Sequence, residues 1–399
     1  MRVTQSLEQS QFLTALNQLE SNLSTTQNQI SSGQSFTTAS QNPVAAGLVV
    51  GYNQALAQSQ QYDTNSNSAQ TSLNIEDSTL TQVQNALQSL RDLALEANNS
   101  NESTQNLSAI ATQATQIQST LLSLANTQDG SGNYIFAGYS TQSQPFAASA
   151  TGATYSGDQG QRQVQIAPGQ TVVAGDNGDL VFNQIKTGNG TFVASAAAGN
   201  TGTGVVGAAT VTDPTTYTGG TYSIDFTAPD TYQVLDSANN VVASGSYTSG
   251  QAISFAGVQV TLTGQPAAGD SFDVAPSTNQ SIFTTVQNLV TALQQQDTTS
   301  SAGEAQLNNS INVAINNIDQ ALTQSQDVQA SVGARLNSIT TQQSVASSQQ
   351  VQLQKSISNL QSLDYASAIT SLDQQNTTLS AAMQAFTLTQ GLSLFKFLQ

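Results

Sequence analysis

Residues 52–97 read YNQALAQSQQYDTNSNSAQTSLNIEDSTLTQVQNALQSLRDLALEA. Steps of three and four along this stretch visit Tyr52, Ala55, Ser59, Tyr62, Ser66, Ala69, Leu73, Glu76, Leu80, Val83, Leu87, Leu90, Ala94 and Ala97. Eleven of these fourteen positions are apolar or aromatic, the exceptions being Ser59, Ser66 and Glu76. A repeat held that long marks a helix packed in a coiled-coil seam.

Upstream, the same spacing recurs at Phe12, Leu16, Leu19, Leu23, Thr26 and Ile30. It predicts a first helix that begins near Ser6 or Ser10. That helix stops at Ser32-Gly33, where glycine can take the left-handed cap. Gln34 to Asn42 reads as a loop, and Pro43 suits the first turn of a second helix. Running to about Asn98, this helix spans roughly 80 Å at ~1.5 Å per residue. Asn98 to Asn101 breaks it, and Ser103 caps a third helix that ends near Asn126.

Past Asp129-Gly130-Ser131-Gly132 the pattern changes. Tyr134, Ile135, Phe136 and Pro145-Phe146 predict a short extended element or hairpin on the helices. From about 150 to 275 the chain is rich in Gly, Thr, Val and Tyr with period-two alternation, as in Tyr222 to Phe226 and Val258 to Leu262. Turns fall at Asn239-Asn240 and at Pro266 to Gly269. The stretch Ala196 to Ala209 is expected to be a mobile loop within this all-β insert.

Helical spacing returns at Ser281 with Ile282, Val286, Leu289, Val290 and Leu293. After a loop at Asp297 to Gly303 comes a seam of Ile311, Ile315, Ile318, Leu322, Val332, Leu336 and Ile339, weakened at Ser325 and Gln329. Thr340 to Gln352 carries few apolar residues and predicts a weak or jointed helix. The last helix presents Tyr365, Ile369, Leu372, Leu379, Met383 and Phe386. It ends in Leu392, Leu394, Phe395, Phe397 and Leu398.

The fold class is therefore α+β: a long antiparallel helical bundle or coiled coil built from both chain ends, with an inserted all-β domain. Three domains are expected. They are a terminal assembly domain (1–42 with 356–399), a helical bundle (43–149 with 280–355) and the β-rich outer domain (150–279). Long polar helices with one narrow apolar stripe bury too little surface alone to offset their ordering entropy. The two ends are thus expected to order fully only on assembly. The residues expected at subunit interfaces are Phe12, Leu16, Leu19, Leu23, Ile30, Ile369, Leu372, Leu379, Met383, Phe386, Leu394, Phe395 and Leu398.

Composition removes several function classes. The net charge is −17, yet only 8% of the 399 residues are charged, so the acidity reflects scarce Lys and Arg (seven) rather than carboxylate runs. Arg2, Arg91, Arg162, Lys186, Arg335, Lys355 and Lys396 are scattered, which argues against nucleic acid as a partner. There is no Cys and no His, so thiolate chemistry, disulfides and the commonest general base and metal ligand are absent. No cofactor is expected. The start MRVTQSLEQSQF lacks a signal-peptide core, and no stretch reaches the ~18 apolar residues of a membrane span. A surface anchor at the C-terminal tail would want more basic residues than Lys396. Membrane is therefore not an expected partner.

Carboxylates are the only conceivable catalytic groups. Glu76-Asp77, Asp225 with Asp230, and Asp270 with Asp273 are pairs, each placed where solvated faces or turns are expected, and nothing convergent supports acid–base chemistry. Asp176-Asn177-Gly178-Asp179 lacks the further ligands of a calcium loop and reads as a plain turn. No enzyme is expected.

Several stretches carry a family resemblance. Gln29-Ile30-Ser31-Ser32-Gly33, Phe36, Ala39 and Asn42-Pro43-Val44-Ala45-Ala46 resemble the N-terminal signature shared by bacterial flagellins and hook-filament junction proteins. Gly132-Asn133-Tyr134-Ile135-Phe136-Ala137-Gly138, with Pro145-Phe146, is similar to the mark of the third hook-associated protein family. Val332 to Asn337 and Asp364 to Thr370 match its C-terminal half. One departure is that Ser40-Gln41-Asn42 is uncharged where relatives carry acids before the proline. The resemblance implies a structural, non-enzymatic subunit joining hook to filament. Its implied partners are the first hook-associated protein, flagellin, copies of itself and an export chaperone. Location outside the cell follows, after unfolded export through the flagellar channel. The nearest alternatives are a flagellin-like filament subunit and a β-domain adhesin.

Overall fold

The computed structural model describes residues 2–99, 103–295 and 299–395. Its helices are α1 (Arg2–Ser32), α2 (Pro43–Ala97), α3 (Thr104–Ala125), α4 (Ile282–Gln295), α5 (Ser301–Gln361) and α6 (Tyr365–Phe395). Between α3 and α4 lie β1 (Phe146–Ser149), β2 (Gly152–Tyr155), β3 (Gln163–Ala167), β4 (Gln170–Val173), β5 (Ile185–Lys186), β6 (Phe192–Ala196) and β7 (Val205–Val211). They are followed by β8 (Tyr222–Ala228), β9 (Thr231–Asp236), β10 (Val241–Ser246), β11 (Ala252–Phe255), β12 (Val258–Thr263), β13 (Ser271–Pro276) and β14 (Asn279–Gln280). The chain forms two compact units, residues 1–64 with 342–399 and residues 65–341.

The helix boundaries follow from local chemistry. Gly33 ends α1 at φ +69°, a conformation that costs glycine nothing. Asn42 accepts the Ala45 N–H at 3.1 Å through Oδ1, so a neutral amide caps the Pro43 turn. Ser103 caps α3 by accepting from the Asn106 N–H at 3.2 Å.

In the larger unit α2 runs antiparallel to α5. Gln84 Nε2 donates to Gln329 Oε1 at 2.8 Å, Arg91 Nε pairs with Asp319 at 2.6 Å, and Asn98 Nδ2 donates to Asn312 Oδ1 at 3.0 Å. Between these polar rungs the apolar stripe is closed to water: Leu73, Leu80, Leu87 and Leu90 face a core shared with Ile311, Ile318, Val332 and Ile339. Each such side chain contributes about 1.5–3 kcal/mol by burial. One end of this core is aromatic. Phe182 stands edge-on to Phe136 (ring centroids 5.2 Å apart) and to Phe146 (5.4 Å), with Phe283 of α4 completing the cluster. The β1–β2 hairpin lies so close on α4 that a Cβ at Gly152 would come within 2.5 Å of the Phe283 backbone.

Two further two-stranded pairs, β3–β4 and β5–β14, accompany a five-stranded sheet in the order β10-β9-β8-β13-β6 and a three-stranded sheet β11-β12-β7. The inward residues of these two larger sheets, among them Phe192, Ile224, Phe226, Val260, Leu262 and Phe272, make a second core separate from the helical one. β7 is an edge strand, and an open edge is a hazard. Helix α5 closes it with amides. Asn309 Oδ1 accepts the Val206 N–H at 2.8 Å and its Nδ2 donates to Gly204 O at 2.9 Å, while Asn312 Nδ2 donates to Val206 O at 2.9 Å. Asn317 Oδ1 accepts the Gly188 N–H at 2.7 Å, and Gln324 Nε2 donates to Leu180 O at 2.9 Å. Asn309 and Asn312 thus stand in for a missing strand beside β7, while Asn317 and Gln324 tie down the chain that precedes β6.

Three expectations are corrected. Ala196 to Ala209 is not one loop: Val205–Val211 is a paired strand, because the α5 amides and β12 satisfy both its edges. No joint interrupts α5 at 340–352; polar as it is, the segment buries Ala346, and Gln350 Nε2 donates to buried Ser59 Oγ at 3.3 Å. α1 begins at Arg2, ahead of Ser6.

Replacing Asn309 with Leu orphans the Val206 N–H and the Gly204 carbonyl, at roughly 1–3 kcal/mol for each buried group. Amide deuterium exchange over 205–211 should quicken while that of Leu80 to Leu90 stays slow. Unchanged exchange in β7 would show that the edge is held by something other than this amide.

Candidate assembly surface and carboxylate sites

The terminal unit is held by α1 against α6. Phe12 stacks on Phe386 with centroids 4.9 Å apart and planes 8° off parallel. At the opposite end of α1, the Tyr365 hydroxyl lies 2.8 Å from where a Cβ on Gly33 would stand, so the two helices run antiparallel. Phe12, Leu16, Leu19, Leu23 and Ile30 are all half-buried, with Thr26 fully so. The facing stripe of α6 is Ala368, Leu372, Gln375, Leu379, Ala382 and Phe386, a three-four alternation. Within it, the Gln375 Oε1 atom is buried with no hydrogen-bond partner. A polar group left unpaired in a seam costs stability while fixing register.

The loops that join the helices clasp each other. The Ser35 N–H donates to Gln361 O at 2.7 Å, Ser35 Oγ to Leu360 O at 2.9 Å, and the Leu363 N–H to Gly33 O at 3.0 Å. Below the clasp sits a small core of Phe36, Ala45 and Val49 with Ile357 and Leu360.

The interface candidates therefore divide. Phe12, Leu16, Leu19, Leu23, Ile30, Leu372, Leu379 and Phe386 pack within the chain and keep part of their surface open. Ile369 (48% exposed) and Met383 (45%) point away from the α1 seam. Leu398 falls outside the described residues, as do the side chains of Leu394 and Phe395. Spacing alone did not single out Leu7, Leu13 and Leu388, which are also exposed. Eleven of the fifteen large hydrophobic residues left exposed among the described residues belong to this unit, although it holds the minority of the chain. Scattered apolar side chains are normal on a monomer, but such concentration in one unit marks a surface meant to be covered.

The carboxylates do not converge. Asp270 takes the backbone N–H groups of Thr201, Gly202 and Ala267 at 2.7, 3.0 and 2.8 Å, and so tethers loops. Asp225 takes the Ser223 hydroxyl, and Asp230 that of Thr231. Glu76, expected on a solvated face or turn, and Asp176, read as part of a plain turn, are both 1% exposed. Glu76 continues the α2 stripe into the core, and Asp176 is drawn in by Arg335, whose Nη2 reaches its Oδ2 at 2.8 Å. Burial first, and nearby Asp176 second, push the Glu76 carboxyl up to about 8. A cleft of about 390 Å³ between α4, α5 and the end of β6 is lined by Asn288, Thr291, Gln295, Gln306 and Ser310, with no titratable side chain. Among the described residues no cluster of three metal-ligating side chains occurs, and no helix is long and apolar enough to cross a membrane.

Comparison with known proteins gives three family matches. Residues 3–141 match the bacterial flagellin N-terminal helical region and residues 315–398 the flagellin C-terminal helical region. Residues 195–276 match the D2-like domain of flagellar hook-associated protein 1. Flagellar hook-associated protein 3 of Escherichia coli K12 is 26% identical over 368 residues, covering 92% of this chain and 90% of that protein. The Salmonella typhimurium protein of the same name is 36% identical over 159 residues, 40% of this chain and half of that protein's length. A crystal structure of FlgL from Xanthomonas campestris is 36% identical and superposes with a TM-score of 0.72, covering 77% of this chain and 99% of that one. The flagellar junction protein FlgL of Legionella pneumophila superposes equally well (TM-score 0.72) at 29% identity, over 79% of this chain and all of that one.

Gln375→Leu removes the unpaired buried oxygen and should stabilise the α1–α6 pair by about 1–3 kcal/mol. Limited proteolysis should then cut α1 and α6 more slowly with the larger unit unchanged; faster cutting would mean that the amide holds the seam.

Proposed function

This chain belongs to the flagellar hook-associated protein 3 family, structural components of the bacterial flagellum, and from that premise we propose that it forms the junction between hook and filament by lateral packing of its terminal helices. The observation that carries the proposal is the concentration of exposed apolar residues on the terminal unit. Side-by-side contacts between unlike surfaces do not close on a dimer and so propagate helically. Ile369 and Met383, with Leu7, Leu13 and Leu388, supply the contacts between copies. The half-buried seam residues hold each hairpin in shape. Both ends complete their ordering as neighbours cover them.

In this reading the first hook-associated protein lies on the hook side and flagellin on the filament side. The 1–42 and 356–399 segments make the inner assembly domain, 43–149 with 280–355 the body, and 150–279 the outward domain. The subunit leaves the cell unfolded through the flagellar channel, its C-terminal helix covered by a chaperone until then. The role is mechanical, with no catalysis, in keeping with carboxylates that serve as tethers.

Ile369→Glu with Met383→Glu places charge on surface that a lone subunit leaves in water, so the monomer should keep its thermal midpoint within a few degrees. Cells making it should build hooks that shed flagellin into the medium. Leu19→Glu with Leu372→Glu should give the same phenotype through a weakened hairpin. Normal attached filaments in both strains would rule out packing of these helices as the joint.

A further inference from the structure

Glu76 lies on the inward stripe of α2, where its two oxygens accept the Asp176 N–H at 3.2 and 3.4 Å. Asp176 in turn takes Arg335 Nη2 at 3.0 Å on Oδ1 and 2.8 Å on Oδ2, with Gln161 Nε2 at 3.0 Å on Oδ1. Arg335 Nη1 is buried with no hydrogen-bond partner, so the guanidinium spends its one engaged nitrogen on Asp176 and on Ser331. A Cβ on Gly175 would stand 3.7 Å from Arg162 Nη2 and 3.8 Å from Glu76 Oε2, which puts Arg162 at the rim. Asp77, the next carboxyl along α2, is turned to Gln329 Nε2 at 3.0 Å. Two buried carboxyl groups thus share one close cation, and an ionised Glu76 would leave an uncompensated charge in the core.

The segment they hold is not incidental. The Gly178 N–H donates to Phe136 O at 2.8 Å, and Asn177 Oδ1 accepts the Leu180 N–H at 2.9 Å. Asp179–Asn183 then forms a single π-helical turn that delivers Phe182 into the aromatic cluster. The segment therefore joins α2, α5 and the base of the β region within one unit.

We propose that Glu76 is a proton-controlled clamp: as a neutral acid it lies beside the Asp176 carboxylate without repulsion, keeps the Asp176 N–H contact and pins residues 174–183 between α2 and α5. Once it ionises, the repulsion and burial of a second carboxylate outweigh that one contact and release them and the Phe182 turn. This goes beyond the assembly role and is independent of it. Because the folded-state value lies above the ordinary 4.5, at about 8, the contribution is complete below pH 4.5 and is lost as pH climbs towards 8. Inside that window each pH unit should raise the unfolding equilibrium constant by up to about tenfold.

The test uses the full-length chain in urea titrations from pH 5 to 9. The wild type should lose stability with rising pH, and Glu76→Gln, which cannot ionise, should flatten the profile. Deuterium exchange over 174–183, referenced to Glu76→Gln at each pH, should quicken in the wild type alone. Should Glu76→Gln fail to fold, carboxyl carbon NMR of the wild type still decides, since only six glutamates are present. One resonance should titrate well above the others. Equal slopes for the two proteins, or six ordinary titrations, would overturn the clamp.

Discussion

Two long helices far apart in sequence, α2 and α5, must find one register through a stripe about one side chain wide. The β region and the aromatic cluster are both fixed to that pair. Leucine and isoleucine along the stripe supply the burial, but apolar side chains sliding past one another discriminate poorly between registers. The rungs that discriminate are polar: Gln84 with Gln329, Arg91 with Asp319, Asn98 with Asn312. Affinity comes from the leucines and alignment from the amides, and in a chain with 8% charged residues amides are the available currency of specificity.

The same division of labour recurs in the terminal unit with the balance moved. There the stripe is shorter of large side chains, Gln375 sits in it unpaired, and much of the apolar surface stays wet. A hairpin built in this way is only loosely satisfied by itself, which fits a part whose remaining surface is completed by neighbours. The larger unit closes two cores of its own and leaves few of its large apolar side chains in water.

How much of this could be read from the residues depends on whether the deciding partner is local. Gly33, Asn42-Pro43 and Ser103 announced helix ends because caps are written within four residues. The alternation of Tyr222 to Phe226 announced a strand for a similar reason. β7 stayed hidden because its Gly-, Ala- and Val-rich run gains definition from Asn309, 103 residues away from Val206. The continuity of α5 through its glutamine-rich stretch was hidden likewise, its support coming from Ser59. Glu76 was mistaken for a surface residue although its place in the three-four register was in plain view. The register was the better guide to burial, and the charge of an isolated carboxyl the worse one. Spacing picked out the α1 residues that pack on α6. On α6 it drew together Leu372, Leu379 and Phe386, which pack on α1, and Ile369 and Met383, which are exposed, because a stripe seen in sequence does not say which of two adjacent faces meets α1.

The amide rack on α5 has a physical consequence outside the protein. Dissolved ions screen attractions between charges over a shorter and shorter distance as they grow more concentrated, but a hydrogen bond between uncharged groups has almost no field for them to screen. Only two ion pairs occur among the described residues, against a long series of carboxamide contacts. A part joined this way keeps its stiffness alike in rainwater and in brine.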